Sequence, residues 1–493
     1  MTGRAAARFT LPDRLDREAE AFSSALSLEH YLNYSGQKER LTLTPIFERH
    51  ASLFQRRTVE ALKATDQTDP RYSALRRFAV DGYLEQAAKE LTEEVTHRET
   101  TDTVTWGKRE VPYRSLQPLI MNEPDPVRRH ELDHRRVVAT AGQNPLRERR
   151  WDVLYAQARD LNHESYAALY DEVGGLGLER LRDLMERFLW ETEKVYRRRL
   201  EEYLASIGVP PALAERSDLS FLFRSPELDR YFTQEGMLPA LTATLEGLGI
   251  DPEAQTNVHL DTEARPRKSA RAFCSAVRIP QEVYLVINPH GGHDDYRALF
   301  HEAGHAQHFA HVDASLPFAH RGLGDNSITE AFAFLLEHLT HSPAWLRRHL
   351  QVADGADYRA LIHFHKLYML HRYGAKLRYE LDLHEGDDVR SFAKHYADLL
   401  TASVGVRYAP EDYLFDLDDA FYCARYLRAW ILEAQLRRHL EGGWGPEWFG
   451  DPRAGQRLRE LWALGQRYTA EELAQQIGYE GLDIGPLAAE FRE

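Results

Sequence analysis

Through the first two hundred residues, apolar positions recur three and four apart, the spacing that gives a helix one dry face. Leu26, Leu28, Tyr31 and Leu32 precede Gly36, and Pro45 opens a run with Ile46, Phe47, Leu53, Phe54 and Leu62, so residues 12–65 read as helical. A further helix starts at Pro70 and carries Leu75, Phe78, Ala79, Leu84 and Leu91. Alternation replaces this pattern at Thr103, Val104, Thr105 and Trp106 and, beyond Gly107 and Lys108, at 109–113. That predicts a small hairpin, confined to an edge by Pro112. Asn122 to Pro126 breaks the chain before charged helices over 127–141 and 146–168. Gly174, Gly175 and Gly177 then precede a helix over 178–207 whose Arg and Glu content describes a solvated face.

Residues 210–232 read as a loop-rich connector, followed by a helix over 237–248. The stretches 257–261, 271–277 and 282–288 are the best strand candidates in the chain. Helices resume over 300–311, 327–339 and 358–384, and 442–493 reads as loops and short closing helices. His363, His365 and His371 on the 358–384 helix read as packing or surface residues, because no acidic partner stands in a motif with them. The expected fold is mostly α with a small β-sheet just before the 300–311 helix. It divides into an N-terminal helical lobe over 1–210 and a second lobe over 211–493.

Composition narrows the function classes. The 493 residues suffice for a large core; 77 acidic residues against 62 basic ones give a formal charge of −15, with no long basic block, so nucleic acid is not expected as a partner. The two cysteines, Cys274 and Cys423, form neither a disulfide framework nor a metal-binding spacing. Residues 1–10, with Arg4 and Arg8 among alanines, lack the apolar run of a secretory signal, and nowhere do about 18 apolar residues stand together. A soluble, cytoplasmic protein is expected.

The chemistry concentrates at His301-Glu302-Ala303-Gly304-His305, an H-E-x-x-H pattern. On a helix, positions i and i+4 share a face about 5.4 Å apart, so both imidazoles can reach one metal ion. Glu302, next to the first ligand, can lean over a water without coordinating the metal, as a general base must. His163-Glu164 begins a second such pair, but Ala167 stands where a ligand would be needed.

Two residues are candidates for a third ligand. His311 lies ten positions after His301, where one group of peptidases with this pattern places a histidine after a helix-breaking glycine; here that intervening position is His308. An unbroken helix carries His311 about 15 Å along its axis from His301, too far to share a metal with ~2 Å ligand bonds. Glu330, 25 residues after His305, follows a segment containing Pro317, Gly322 and Gly324 that can reverse the chain into the 327–339 helix. Two antiparallel helices then supply two histidines and a carboxylate and leave a fourth zinc position open. The structural alternative is a capping box at Ser327-Ile328-Thr329-Glu330. His308, nearly on the face of His301, reads as a packed or hydrogen-bonded neighbour.

These residues resemble the zinc oligopeptidases typified by thimet oligopeptidase and oligoendopeptidase F. The likeness rests on the Ala303-Gly304 pair within the motif, His308, the 25-residue gap, the Glu330-Ala331 helix start with Glu337 seven residues on, and upstream Asp261, Arg265, Lys268 and the 272–288 segment. It extends to about Arg438, somewhat over a third of the chain. The resemblance implies a two-lobed helical zincin-type (gluzincin) metallopeptidase with a deep cleft, one zinc per chain held by His301, His305 and Glu330, Glu302 as base, and short peptides as substrates. It also implies an oxyanion donor at the Tyr-x-Ala-x-Tyr match, Tyr422 and Tyr426, with Tyr426 favoured. The family's further tyrosine falls here at Ala429 and its histidine at Leu417, which leaves the choice of donor open.

In such a peptidase an exposed edge strand over 282–288 would hold extended substrate through its backbone, at Tyr284, Val286 and Asn288. The alternative is a buried sheet that props up the site. Two other functions are compatible with the motif. One is a zinc carboxypeptidase of a related helical family, whose Glu-Ser-Gln continuation is absent from Glu330-Ala331-Phe332. The other is a helical peptide-binding protein with a structural zinc, against which an intact Glu302 argues.

Overall fold

The computed structural model describes residues 11–64, 70–269, 271–353, 355–386 and 388–492. Residues 1–10, on which the absence of a signal was argued, lie outside them. The protein is mostly helical with a small sheet. The long helices are α1 (Leu11–Tyr34), α2 (Pro70–Thr101), α3 (Pro126–Asp160), α4 (Leu178–Ser206), α5 (His293–Ala310), α6 (Asn326–Leu339), α7 (Ala356–His384) and α8 (Tyr422–Trp444). Among the described residues, no helix is long and apolar enough to cross a membrane.

The hairpin forms where alternation predicts it, β1 (Thr103–Trp106) against β2 (Arg109–Pro112), turning at Gly107 with φ +63°. The helices expected over 127–141 and 146–168 are instead one helix, α3, which runs to Asp160 with Pro145 in its interior, and a separate short helix, Tyr166–Gly174. An internal proline costs about 3 kcal/mol. Anchors on both sides offset it: Arg136 forks onto Asp412 at 2.8 Å, and Arg147 reaches Gln143 and Glu99. The expected connector over 210–232 also contains a helix, Arg216–Arg224. A reciprocal capping box between Glu215 and Asp218 starts it, and buried Arg129 holds Asp218 at 2.6 Å.

The three-stranded sheet consists of β3 (Val258–Asp261), β4 (Phe273–Arg278) and β5 (Glu282–Val286) in the order β3-β5-β4, parallel on one side of β5 and antiparallel on the other. Of the two readings of 282–288 this overturns the exposed edge strand and agrees with the buried sheet: β5 is central. Its Val283, Leu285 and Val286 are all buried, as an apolar run covered on both faces should be, and β3 and β4, the latter with Ser275 and Arg278, take the two edges.

α1 packs across the sheet: Tyr31 stacks on Tyr284 of β5 with centroids 3.8 Å apart, and Ser275 of β4 donates to the Ser27 carbonyl. Asp16 of α1 accepts the backbone N–H groups of Phe318 and Ala319, so the N-terminal half is tied directly to the segment that follows α5. One continuous buried core runs from Leu15 to Phe491; a satellite around Val104, Tyr113, Leu116 and Leu132 lies under the hairpin.

Candidate metal centre

Helices α5 and α6 cross at unusually close range. A Cβ at Gly304 would fall 2.5 Å from the Ala333 Cα and 2.6 Å from the Phe332 carbonyl oxygen, so only glycine lets the two backbones meet there. That crossing sets His301 and His305 of α5 opposite Glu330 of α6. His301 Nε2 is 3.4 Å and His305 Nε2 3.6 Å from Glu330 Oε2, and one donor atom from each of the three residues lies within 4.8 Å of the others.

The start of α6 explains why Glu330 is free for this. Asp325, not Ser327, is the N-cap: its carboxylate accepts the Ser327 N–H at 3.0 Å and is itself gripped by Arg428 at 2.8 Å. The capping box at Ser327 and Glu330 is therefore not formed. Glu330 Oε1 accepts the Tyr422 hydroxyl at 2.7 Å, while Oε2 is buried without a hydrogen-bond partner, a costly arrangement for an oxygen with nothing to bind.

The two imidazoles are oriented by partners on α6. His301 Nδ1 lies 3.0 Å from Glu337 Oε2, and Glu337 also takes two bonds from Arg297; His305 Nδ1 lies 2.8 Å from the Thr329 hydroxyl. Each ring thus turns Nε2 inward with its other nitrogen bonded, as metal-ligating histidines are held. The residues therefore fit a metal: two Nε2 atoms and one orphaned, buried carboxylate oxygen converge, each with its outer side already satisfied.

Electrostatics follow from burial and mutual proximity. Burial works against a charge on His301, but Glu330 and Glu337 raise its pKa to about 10. Burial drops His305 to about 4. Glu330 stays below the usual carboxylate range despite burial, because both histidines face it, and Glu337 is held down chiefly by Arg297. Burial raises Glu302 to about 7. Its Oε2 accepts the outward-facing backbone N–H of Cys274, on the edge strand β4, at 2.8 Å. Glu302 is thereby kept beside the triad and out of it.

The remaining predicted site residues separate. Tyr422 serves Glu330. Tyr426, one turn on, is half-buried with no hydrogen bond from its hydroxyl to any described residue; burial and then Glu330 raise its pKa, and Glu302 adds to the effect. Two successive left-handed residues, Ala420 and Phe421 (φ 55° and 52°), turn the chain into α8 so that Tyr422 meets Glu330; such conformations cost about 1–3 kcal/mol each. Tyr284 donates to Glu282 and lies under Tyr31, Val286 is 1% exposed, and Asn288 falls beyond the strand, so the structure does not gather these three as a substrate ledge.

His311 ends α5 with Nδ1 2.8 Å from the Gln307 carbonyl and its ring against Trp462, outside the triad. His308 is fully buried between Phe309 and Phe332. The orienting roles of Thr329 and Arg297 carried no signal in the sequence, since each depends on how α5 and α6 cross. No protein-family model matches this chain, and no curated protein matches it significantly.

Proposed function

We propose that the protein is a zinc-dependent oligopeptidase that hydrolyses internal bonds of short, unstructured peptides, with the two-lobed zincin-type organisation and deep substrate cleft that such an enzyme needs. The observation that carries this reading is the convergence of His301, His305 and Glu330 with Glu302 alongside and outside the ligand set. Two imidazoles and one carboxylate are the donor set of a catalytic zinc rather than a closed structural one, and a zinc ion held by them supplies Lewis acidity. Glu302, with its pKa raised to about 7 by burial, takes the proton of the attacking water and returns it to the leaving amine. Tyr426, whose hydroxyl is uncommitted, donates to the oxyanion as the carbonyl becomes tetrahedral. Tyr422 steadies Glu330.

The edge of β4, whose Cys274 N–H faces the base, offers backbone groups to an extended peptide. Only a chain whose own backbone is unpaired can use that edge, which is why folded domains are not expected as substrates. The test is mass-spectrometric mapping of cuts in a mixed peptide library with and without chelator, alongside Glu302→Gln. Internal cuts that vanish with chelator and fall by several orders of magnitude in Glu302→Gln are expected. A ladder of single C-terminal residues would make the enzyme a carboxypeptidase, and undiminished cutting by Glu302→Gln would remove Glu302 as the base.

A further inference from the structure

Beside the triad lies a cavity of about 280 Å³, with His301 in its wall. It runs between α5, α6, α7 and α8. Phe334, Tyr373, Tyr426 and Trp430 form an aromatic collar: Phe334 lies parallel to Trp430 with centroids 5.0 Å apart, and Tyr373 meets Tyr426 and Trp430 edge-on. Ile362 and Met369 extend the apolar wall. Sites for whole small ligands run to ~300–1,000 Å³, so a space just below that range suits one large side chain rather than a length of peptide.

The floor is polar, but its formal charges are already matched. Glu337 takes two bonds from Arg297; Lys366 and Glu433 meet at 3.0 Å, and Glu433 also holds Arg437. A charged side chain entering here would have to break one of these pairs or remain unpaired, and either is costly in a buried place. The uncommitted groups are imidazoles. His338 and His341 meet edge-on at 4.4 Å and neither ring hydrogen-bonds a described residue; the Nδ1 of each is buried, that of His338 4.0 Å from Glu433 Oε1, so a ligand in the cavity would meet the other ring edge. His365 accepts from Arg297 through Nδ1, which leaves the proton on Nε2. Burial, reinforced by neighbouring cations, holds all three neutral. A neutral imidazole offers one donor and one acceptor, and His338 and His341 can exchange these by tautomer, so a hydroxyl can be met in either sense.

We propose that this cavity is the specificity pocket for one residue flanking the scissile bond, and that it takes a large aromatic side chain, tyrosine ahead of phenylalanine, while rejecting acidic and basic ones. The assignment rests on the peptidase reading, because His301 and Tyr426, which that reading places at the metal and at the oxyanion, both line the cavity.

The test uses quenched peptides that differ only at the flanking position identified by the cut map, assayed with the zinc-loaded enzyme. Tyrosine should exceed alanine in kcat/KM by on the order of 10²-fold and phenylalanine by about fivefold. Met369→Trp, which fills the cavity, should bring the tyrosine-to-alanine ratio towards one, and His341→Leu should abolish the preference of tyrosine over phenylalanine. Cuts without aromatic enrichment, or enriched at Lys, Arg, Asp or Glu, overturn the pocket and leave the peptidase reading standing. If no peptide is cut, that reading fails instead, and the pocket is decided by binding. Saturation-transfer NMR should then detect N-acetyltyrosinamide on the wild-type protein and lose it in Met369→Trp, whereas equal binding to both overturns the proposal.

Discussion

Replacing Gly304 with alanine isolates what the metal centre owes to its helix crossing. The added Cβ would stand 2.5 Å from Ala333 Cα, about 0.9 Å inside the 3.4 Å at which ordinary contact begins. The Phe332 carbonyl blocks it as well, at 2.6 Å. Both obstacles are backbone, so no side chain can swing aside, and α5 and α6 must separate or shear. Overpacking of this kind costs about 1–3 kcal/mol. The ligands straddle the crossing: His301 and His305 flank Gly304, and Glu330 precedes Ala333 by three residues. Metal sites hold their ligand distances to about ±0.2 Å, so an opening several times larger should weaken zinc binding by at least the ~10–100-fold seen when a ligand loses its supporting partner.

Competition against a chromophoric chelator measures that affinity, and thermal unfolding of the metal-free protein measures the packing cost separately. Gly142→Ala is the control. It lies exposed within α3 with nothing within 4 Å of an added Cβ, so the same substitution should there stabilise by about 0.5–1 kcal/mol. Wild-type zinc affinity together with an unchanged metal-free Tm in Gly304→Ala would refute the claim that this close crossing positions the ligands.

Other perturbations probe the centre from different sides. His301→Ala, His305→Ala and Glu330→Ala should each lose the single tightly bound zinc, and His311→Ala should keep it; metal analysis of the purified variants that gives the reverse order for His311 and Glu330 would overturn the ligand assignment. Tyr426→Phe should lower kcat by ~10² with zinc affinity unchanged, whereas Tyr422→Phe should act first on zinc affinity; a larger kcat loss in Tyr422→Phe would exchange the two roles. Asp325→Asn should destabilise the protein by about 2 kcal/mol at neutral pH, less than the ~3–5 of a broken buried pair because Arg428 retains Glu471. The Asp325 carboxyl is held below its unfolded value by Arg428 and Arg425, against burial. Its contribution is therefore complete above about pH 4 and is lost as pH falls towards the folded value, so the gap between wild type and variant in denaturant titrations should narrow below about pH 4, and a constant gap would exclude this linkage.

The parts legible in the sequence are those fixed by local spacing. The i, i+4 histidines need only a helix, and the β1–β2 hairpin needs only its alternation and Gly107, so both were readable without tertiary knowledge. The joining of 127–141 to 146–160 across Pro145 was not legible, because the fork from Arg136 to Asp412 and the bond from Arg147 to Glu99 that hold the helix on either side join residues far apart in sequence. The strand over 282–288 leaves both an edge and a buried reading open for a related reason. Its composition announces burial on both faces, which already describes a central strand, but the two edges exist only once β3 and β4 have paired on either side of it. That arrangement bears on the proposed chemistry: the backbone N–H beside Glu302 belongs to Cys274 on β4, and a substrate strand laid there would compete with Glu302 for it. His365 shows the converse limit. It stands in no motif, and only the packing of α7 against α5 sets it beside Arg297 in the wall of the cavity. Candidate ligands can be read from a helical repeat, but the groups that orient them and the cavity proposed to discriminate among substrates are contributed by several helices and exist only once those helices have packed.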